Sequence, residues 1–148
     1  MSFCEIIATD ILALFFFRTR TRENTYTLEE LAALGITEQS VTERLSSSHK
    51  GWLCENDGFV VAFCMAERVT GELWVIAVLP QYEGRGIGNK LMGLAEEWLW
   101  ATGCTRAWLM TDVDANRGAY GFYRRRGWTD WKLESDRRWM ELQLRYAR

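Results

Sequence analysis

The chain has 148 residues, 48% hydrophobic and 26% charged, with 18 Lys and Arg against 20 Asp and Glu for a net charge of −2. That size predicts one globular domain over 1–148, able to bury a core without metal or disulfide staples. The mild acidity excludes a binder held to nucleic acid by a basic surface. The longest apolar run, from Ile11 to Phe17, is far short of a spanning helix, which needs roughly 20 residues. No secretory signal opens the chain, so a cytoplasmic location without a membrane partner is expected.

Residues 3–8 read as a short strand, and Asp10 is placed to cap a helix running from Ile11 toward Arg18. Thr27-Leu28-Glu29-Glu30 is a capping box that starts a second helix, which Gly35 ends. A third short helix is expected over Glu38–Leu45. His49, the only histidine, falls in the polar stretch SSSHKG and reads as part of a turn, without a catalytic role. Sites needing two histidines are excluded. Cys4, Cys54, Cys64 and Cys104 form no CxxC pair and read as small hydrophobic residues, so no metal is expected.

From Trp52 the apolar period changes to that of strands. Residues 52–55 and Phe59–Glu67 flank Asn56-Asp57-Gly58, residue types that tolerate the positive φ of a hairpin turn. Glu72–Val78 follows, rich in β-branched and aromatic residues. A helix is expected over 85–102, its stripe of Leu91, Met92, Ala95, Trp98 and Leu99 recurring at the helical period. Residues 106–111 are a strand, 118–126 a helix ended by Gly127, and 128–133 with 138–144 a closing hairpin. Strand, helix, strand in the middle of the chain implies a parallel crossover. The fold class is mixed α/β, of the α+β kind, with about seven mostly antiparallel strands and about four helices.

The most informative segment is Val78-Leu79-Pro80-Gln81-Tyr82-Glu83-Gly84-Arg85-Gly86-Ile87-Gly88. Its alternating glycines lie between a strand and a helix. There the first-turn amides lack internal partners and sit at the positive end of the helix dipole, which suits a phosphate or pyrophosphate. A flexible turn is the other reading of GxGxG alone. No Walker A Lys follows, and GxGxxG is not met.

This stretch resembles motif A of the GNAT acetyltransferase superfamily, Q/R-x-x-G-x-G/A, at Gln81, Gly84 and Gly86. Downstream, the stretch from Asn116 to Trp128 resembles a second signature of that family, N-x-x-A-x-x-F-Y-x-x-x-G-F, with Trp128 replacing the final Phe. The chain departs from the family at Glu83, where many members carry Arg. The resemblance implies a GNAT core over 52–144, with 1–50 as variable helices on the acceptor side.

The implied cofactor is acetyl-CoA, with its pantetheine arm between splayed parallel strands Glu72–Val78 and 106–111. Backbone groups of Ile76, Ala77 and Val78 would bond it, as in strand addition. The amides of Gly84, Arg85, Gly86, Ile87, Gly88 and Asn89 would hold the pyrophosphate. Asn116 matches a position that reaches the pantetheine, its other reading being an Asx turn. Tyr123 matches the family's general acid beside the cofactor, and core packing is its other reading. An amide of Ile76 or Val78 would polarise the carbonyl.

Glu72 has the spacing of a catalytic glutamate found in some members. It shares a strand face with positions 74, 76 and 78 unless a bulge intervenes. It reads as a base or as a solvated carboxylate, water being the other base. Trp74 is a candidate for the acceptor pocket, with core packing as the alternative. Glu23 is a candidate partner for a cationic acceptor, or part of a charged loop. Arg124, Arg125 and Arg126 read as a solvated helix end or a contact for the 3′-phosphate. The implied activity is N-acetyl transfer from acetyl-CoA to a primary amine of a small molecule, by direct attack in a ternary complex. Acetylation of a protein lysine or N-terminus, and a CoA-binding module without catalysis, are the alternatives. Members often form homodimers, and the aromatic C-terminal hairpin is the candidate interface.

Overall fold

The computed structural model describes residues 1–18, 27–112 and 118–144. Its strands are β1 (Ser2–Glu5), β2 (His49–Asn56), β3 (Phe59–Glu67), β4 (Glu72–Val78), β5 (Arg106–Asp112), β6 (Thr129–Glu134) and β7 (Arg137–Gln143). The helices are α1 (Ile11–Arg18), α2 (Leu28–Ala33), α3 (Glu38–Leu45), α4 (Ile87–Ala101) and α5 (Gly118–Arg125). The described residues form five α-helices, one at each of the five places where the sequence predicts a helix. The sheet runs β1-β2-β3-β4-β5-β7-β6, and β4–β5 is its parallel pair. A helical crossover through α4 forces that direction, whereas the tight turns elsewhere give antiparallel neighbours.

Local chemistry explains the elements that match expectation. Asp57 and Gly58 take φ of 53° and 80°, the paired positive values of a hairpin turn between β2 and β3. The Thr27 hydroxyl accepts from the Glu30 N–H at 3.0 Å, while Glu30 accepts from the Thr27 N–H at 2.9 Å. Other ends moved. β1 stops at Glu5 because Ala8–Asp10 turns as a 3-10 helix. Asp10 accepts the Ile7 N–H at 2.8 Å there and so closes that turn instead of capping α1. His49 is not in a turn: it opens β2, paired with Glu67, and its polar side chain hides the strand from an apolar pattern.

Alternate residues of β3 divide two cores. Ala62, Cys64 and Ala66 pack with Leu91, Met92, Ala95 and Leu99 of α4. Val61, though odd in register, joins them at the strand's start. Phe63 and Met65 pack on the opposite face with Ile11, Leu14 and Phe17 of α1 and Val41 of α3. The sheet is therefore sandwiched at its centre between α4 and the N-terminal helices. Among the described residues, no helix is long and apolar enough to cross a membrane.

Candidate active site

The site begins with a register shift. Met65 pairs with Val75 but Ala66 pairs with Leu73, so Trp74 is an extra residue and β4 bulges there. The bulge intervenes in the alternation expected of this strand. Trp74 and Val75 both pack on the α1/α3 side, whereas Ile76 and Val78 pack with the α4 core. Leu73 joins the α4 core, which turns Glu72 to the Trp74 side. Glu72 and Trp74 thus share one face, and Ile76 with Val78 the other.

β4 and β5 meet only at Glu72 and Trp108, where the Trp108 N–H bonds the Gly71 carbonyl at 3.0 Å, and then splay apart. The Leu79 N–H bonds the Val61 carbonyl at 3.0 Å on the β3 side. Strand alternation then aims the backbone groups of Ile76 and Val78 into the gap.

That gap opens into a cavity of ≈ 650 Å³ between β4, the glycine turn and α5. Gly84 and Gly86 take φ of 78° and 82°, and a Cβ on either would meet no heavy atom of the protein within 4 Å. The space beside them belongs to the cavity. Gly88 differs: its Cβ would come to 3.3 Å from Phe122, so it lets α4 and α5 approach. The first helical bond of α4 is from the Lys90 N–H to the Gly86 carbonyl. The amides of Ile87, Gly88 and Asn89 are therefore left without a helical partner.

α5 supplies the facing wall. Ala119, Phe122, Tyr123 and Arg126 all line the cavity, at the spacing of one helix face. Tyr123 is buried at 7% exposure, its ring 5.5 Å from that of Phe122 and 6.2 Å from that of Trp128. Arg126 is anchored rather than solvated. It donates to both Glu96 oxygens at 2.6 and 3.2 Å and to the Asn89 Oδ1 at 3.1 Å. Glu96 also accepts from the Trp128 indole at 3.1 Å, so one carboxylate ties the end of α5 to α4. Glu96→Ala is expected to lower the unfolding free energy by about 3 kcal/mol, read from urea midpoints, because it strands the Arg126 guanidinium half out of water.

On the other face, burial pushes the Glu72 carboxyl above the usual carboxylate range; Glu67 adds to this and Arg44 opposes it. Arg44 stacks over the Trp74 ring at 4.6 Å, and the His49 ring meets Trp74 edge-on at 5.2 Å. Burial, then Arg44, lowers the pKa of His49, against Glu67. Among the described residues, no group of His, Cys, Asp and Glu is placed to hold a metal ion.

Of the residues singled out in sequence, Ile76, Ala77, Val78, Gly84, Gly86, Ile87, Gly88, Asn89 and Tyr123 line the cavity. Arg85 is not among its lining residues, and its guanidinium stacks over the Tyr82 ring at 4.9 Å. Asn116 and Glu23 lie outside the described residues. Tyr82, Glu83, Gly118, Ala119, Phe122, Arg125 and Arg126 complete the lining. Their signal was available in part: stepping four residues back and three forward from Tyr123 along α5 reaches Ala119 and Arg126, and Phe122 lies three residues beyond Ala119 on the same face. Glu83 is the one carboxylate of the lining, which also includes Arg125 and Arg126.

A model of the acetyltransferase (GNAT) family matches residues 9–128. Mycothiol acetyltransferase of Streptomyces griseus is 33% identical over 107 residues, 67% of this chain and 34% of that protein. The chain thus spans about a third of the length of that relative. Among solved structures, the paia N-acetyltransferase of Thermoplasma acidophilum in complex with coenzyme A superposes with a TM-score of 0.81 at 17% identity, covering 97% of this chain and 99% of that one. The ribosomal-protein-S18-alanine N-acetyltransferase of Escherichia coli gives 0.76 at 19%, covering 99% and 95%. At these identities the two structures share the fold.

Proposed function

The chain belongs to the acetyltransferase (GNAT) family, and on that footing we propose that it transfers the acetyl group of acetyl-CoA to a primary amine of a small molecule, by direct attack in a ternary complex. One observation carries this reading: a single cavity joins the glycine cradle, the open edge of β4 and Tyr123. The likeness to mycothiol acetyltransferase, named for a small molecule rather than a protein, supports an acceptor of low mass.

The residues present fit the cofactor. Open space at Gly84 and Gly86 leaves the amides of Ile87, Gly88 and Asn89 accessible to a pyrophosphate, and Arg125 adds positive charge. The backbone groups of Ile76 and Val78 bind an extended arm as a strand edge binds a peptide. When bound, acetyl-CoA supplies an activated acyl group whose leaving thiolate has a pKa of about 8.5. The Tyr123 hydroxyl gives that sulfur its proton. Glu72, on the opposite face at the point where the strands part, takes the proton of the attacking amine, directly or through water.

Thermal unfolding with and without acetyl-CoA, followed by thiol release against an amine panel, tests the reading. Saturation at a hundred times the dissociation constant adds about 2.7 kcal/mol to stability. No shift at saturation overturns it, and a panel answered only by peptides moves the acceptor to protein. The reading extends to a homodimer held by the β6–β7 hairpin, where Trp131 and Leu133 are 44% and 56% exposed. Sedimentation of Trp131→Glu against the unaltered chain checks that.

Glu72 also makes a pH prediction. Its folded-state pKa is raised, so the folded protein favours the neutral carboxyl and ionisation costs stability. The cost is absent below the unfolded value of about 4.3 and fully present above the raised one. Glu72→Gln is therefore expected to unfold at higher temperature than the parent at neutral pH, with the difference vanishing in acid. Its turnover should fall and lose the acidic limb of the pH–rate profile. A loss under about tenfold, with the limb intact, assigns the proton to water alone.

A further inference from the structure

The bulge that separates the two faces of β4 also makes a second pocket. Trp74 and Val75, pushed together onto the α1/α3 side, bound a space of ≈ 60 Å³ whose lining side chains, among the described residues, are all apolar. Its deep walls include Ile11, Leu14, Val41 and Met65, each at most 3% exposed. Its rim is half-buried: Phe15, Ile36, Trp74 and Val75. Protein cores pack to crystal-like density, and unfilled space costs stability. Among the described residues, a pocket with apolar side chains kept at the one irregular step of the central strand is shaped to take an apolar group.

Its size says what kind. One water occupies about 10–15 Å³ on this scale and a cavity of about 150 Å³ takes benzene, so this one suits a group of about two to four carbons. Its place says whose. Trp74 follows Glu72 by two residues on the same face, about 6–7 Å along the strand.

We propose that this pocket is a specificity subsite, and that the acceptor is a primary amine carrying a compact aliphatic substituent, which seats against Val41, Met65 and Trp74 while the nitrogen lies at Glu72. The inference rests on the acetyltransferase reading above. It separates acceptors by the volume beside the amine, because the described side chains that line the pocket are apolar.

The test is acetyl-CoA-dependent thiol release with glycinamide, alaninamide, valinamide, leucinamide and phenylalaninamide. The expected kcat/KM rises by about fourfold per buried carbon up to valinamide or leucinamide, then falls for phenylalaninamide. Ile36→Phe, which crowds the rim, is expected to bring the leucinamide-to-glycinamide ratio close to one through KM. Met65→Ala, which deepens the pocket, is expected to move the maximum toward phenylalaninamide, a gain that misfolding does not produce. A flat series in the unaltered protein overturns the subsite, as does a ratio that neither variant moves. If acetyl-CoA raises the unfolding temperature but no amide releases thiol, the amine reading itself falls and the subsite with it.

Discussion

Tyr123→Phe is expected to lower turnover by about 100- to 10,000-fold, the range of a positioned acid or base, and to leave the acetyl-CoA shift in unfolding temperature nearly unchanged. The ring lies in the wall of the cavity, flanked by Phe122 and Trp128. Its apolar contacts survive loss of one oxygen, so the wall keeps its shape. What disappears is the proton for the departing sulfur. Pre-steady-state thiol release and cofactor-dependent unfolding, measured on the same preparation, separate the two roles. Equal loss of binding and turnover would falsify the acid assignment. Unchanged turnover alongside intact binding would return Tyr123 to core packing.

Gly86→Val should abolish the stabilisation by acetyl-CoA while leaving a folded protein. Gly86 precedes α4 at a φ of 82°, where a β-branched residue is strained by about 1–3 kcal/mol. No protein atom within 4 Å would clash with the new Cβ, so the side chain grows into the cavity instead. Gly103→Val is the control. Gly103 has a φ of 101° and equally open surroundings, but it follows the far end of α4 and is not among the cavity's lining residues. Both variants should unfold at lower temperature, and only the first should lose the response to cofactor. Loss of the response in both would mean that strain, not occupation of the cradle, is being read.

Those two sites were legible in the sequence to different depths. Gly84 and Gly86 announce themselves because their reason is local, a positive φ and a backbone left bare at a helix start. Tyr123 stood out only inside a longer pattern, since a lone Tyr on a helix face is compatible with core packing. The capping box at Thr27 and the turn at Asp57 and Gly58 were readable on the same local terms. Arg126 was not. A run of arginines at a helix end reads as solvated, and nothing near it in sequence announces Glu96, thirty residues earlier.

His49 shows the same limit on a strand. Its neighbours are polar, so the pattern gives a turn, yet pairing with Glu67 across the hairpin makes it the first residue of β2. The bulge at Trp74 matters most for the chemistry. It exists because Met65 and Ala66 of β3 pair two residues apart on β4, and no feature of β4 by itself requires that slip. The family, the turns, the helix starts and the glycine cradle follow from the residues alone, because each depends on residues within a turn or two of one another. That Glu72 and Trp74 face the N-terminal helices while Ile76 and Val78 face α4 comes from strand pairing, because a strand's face is assigned by register with a neighbour, and one slipped pair reverses it.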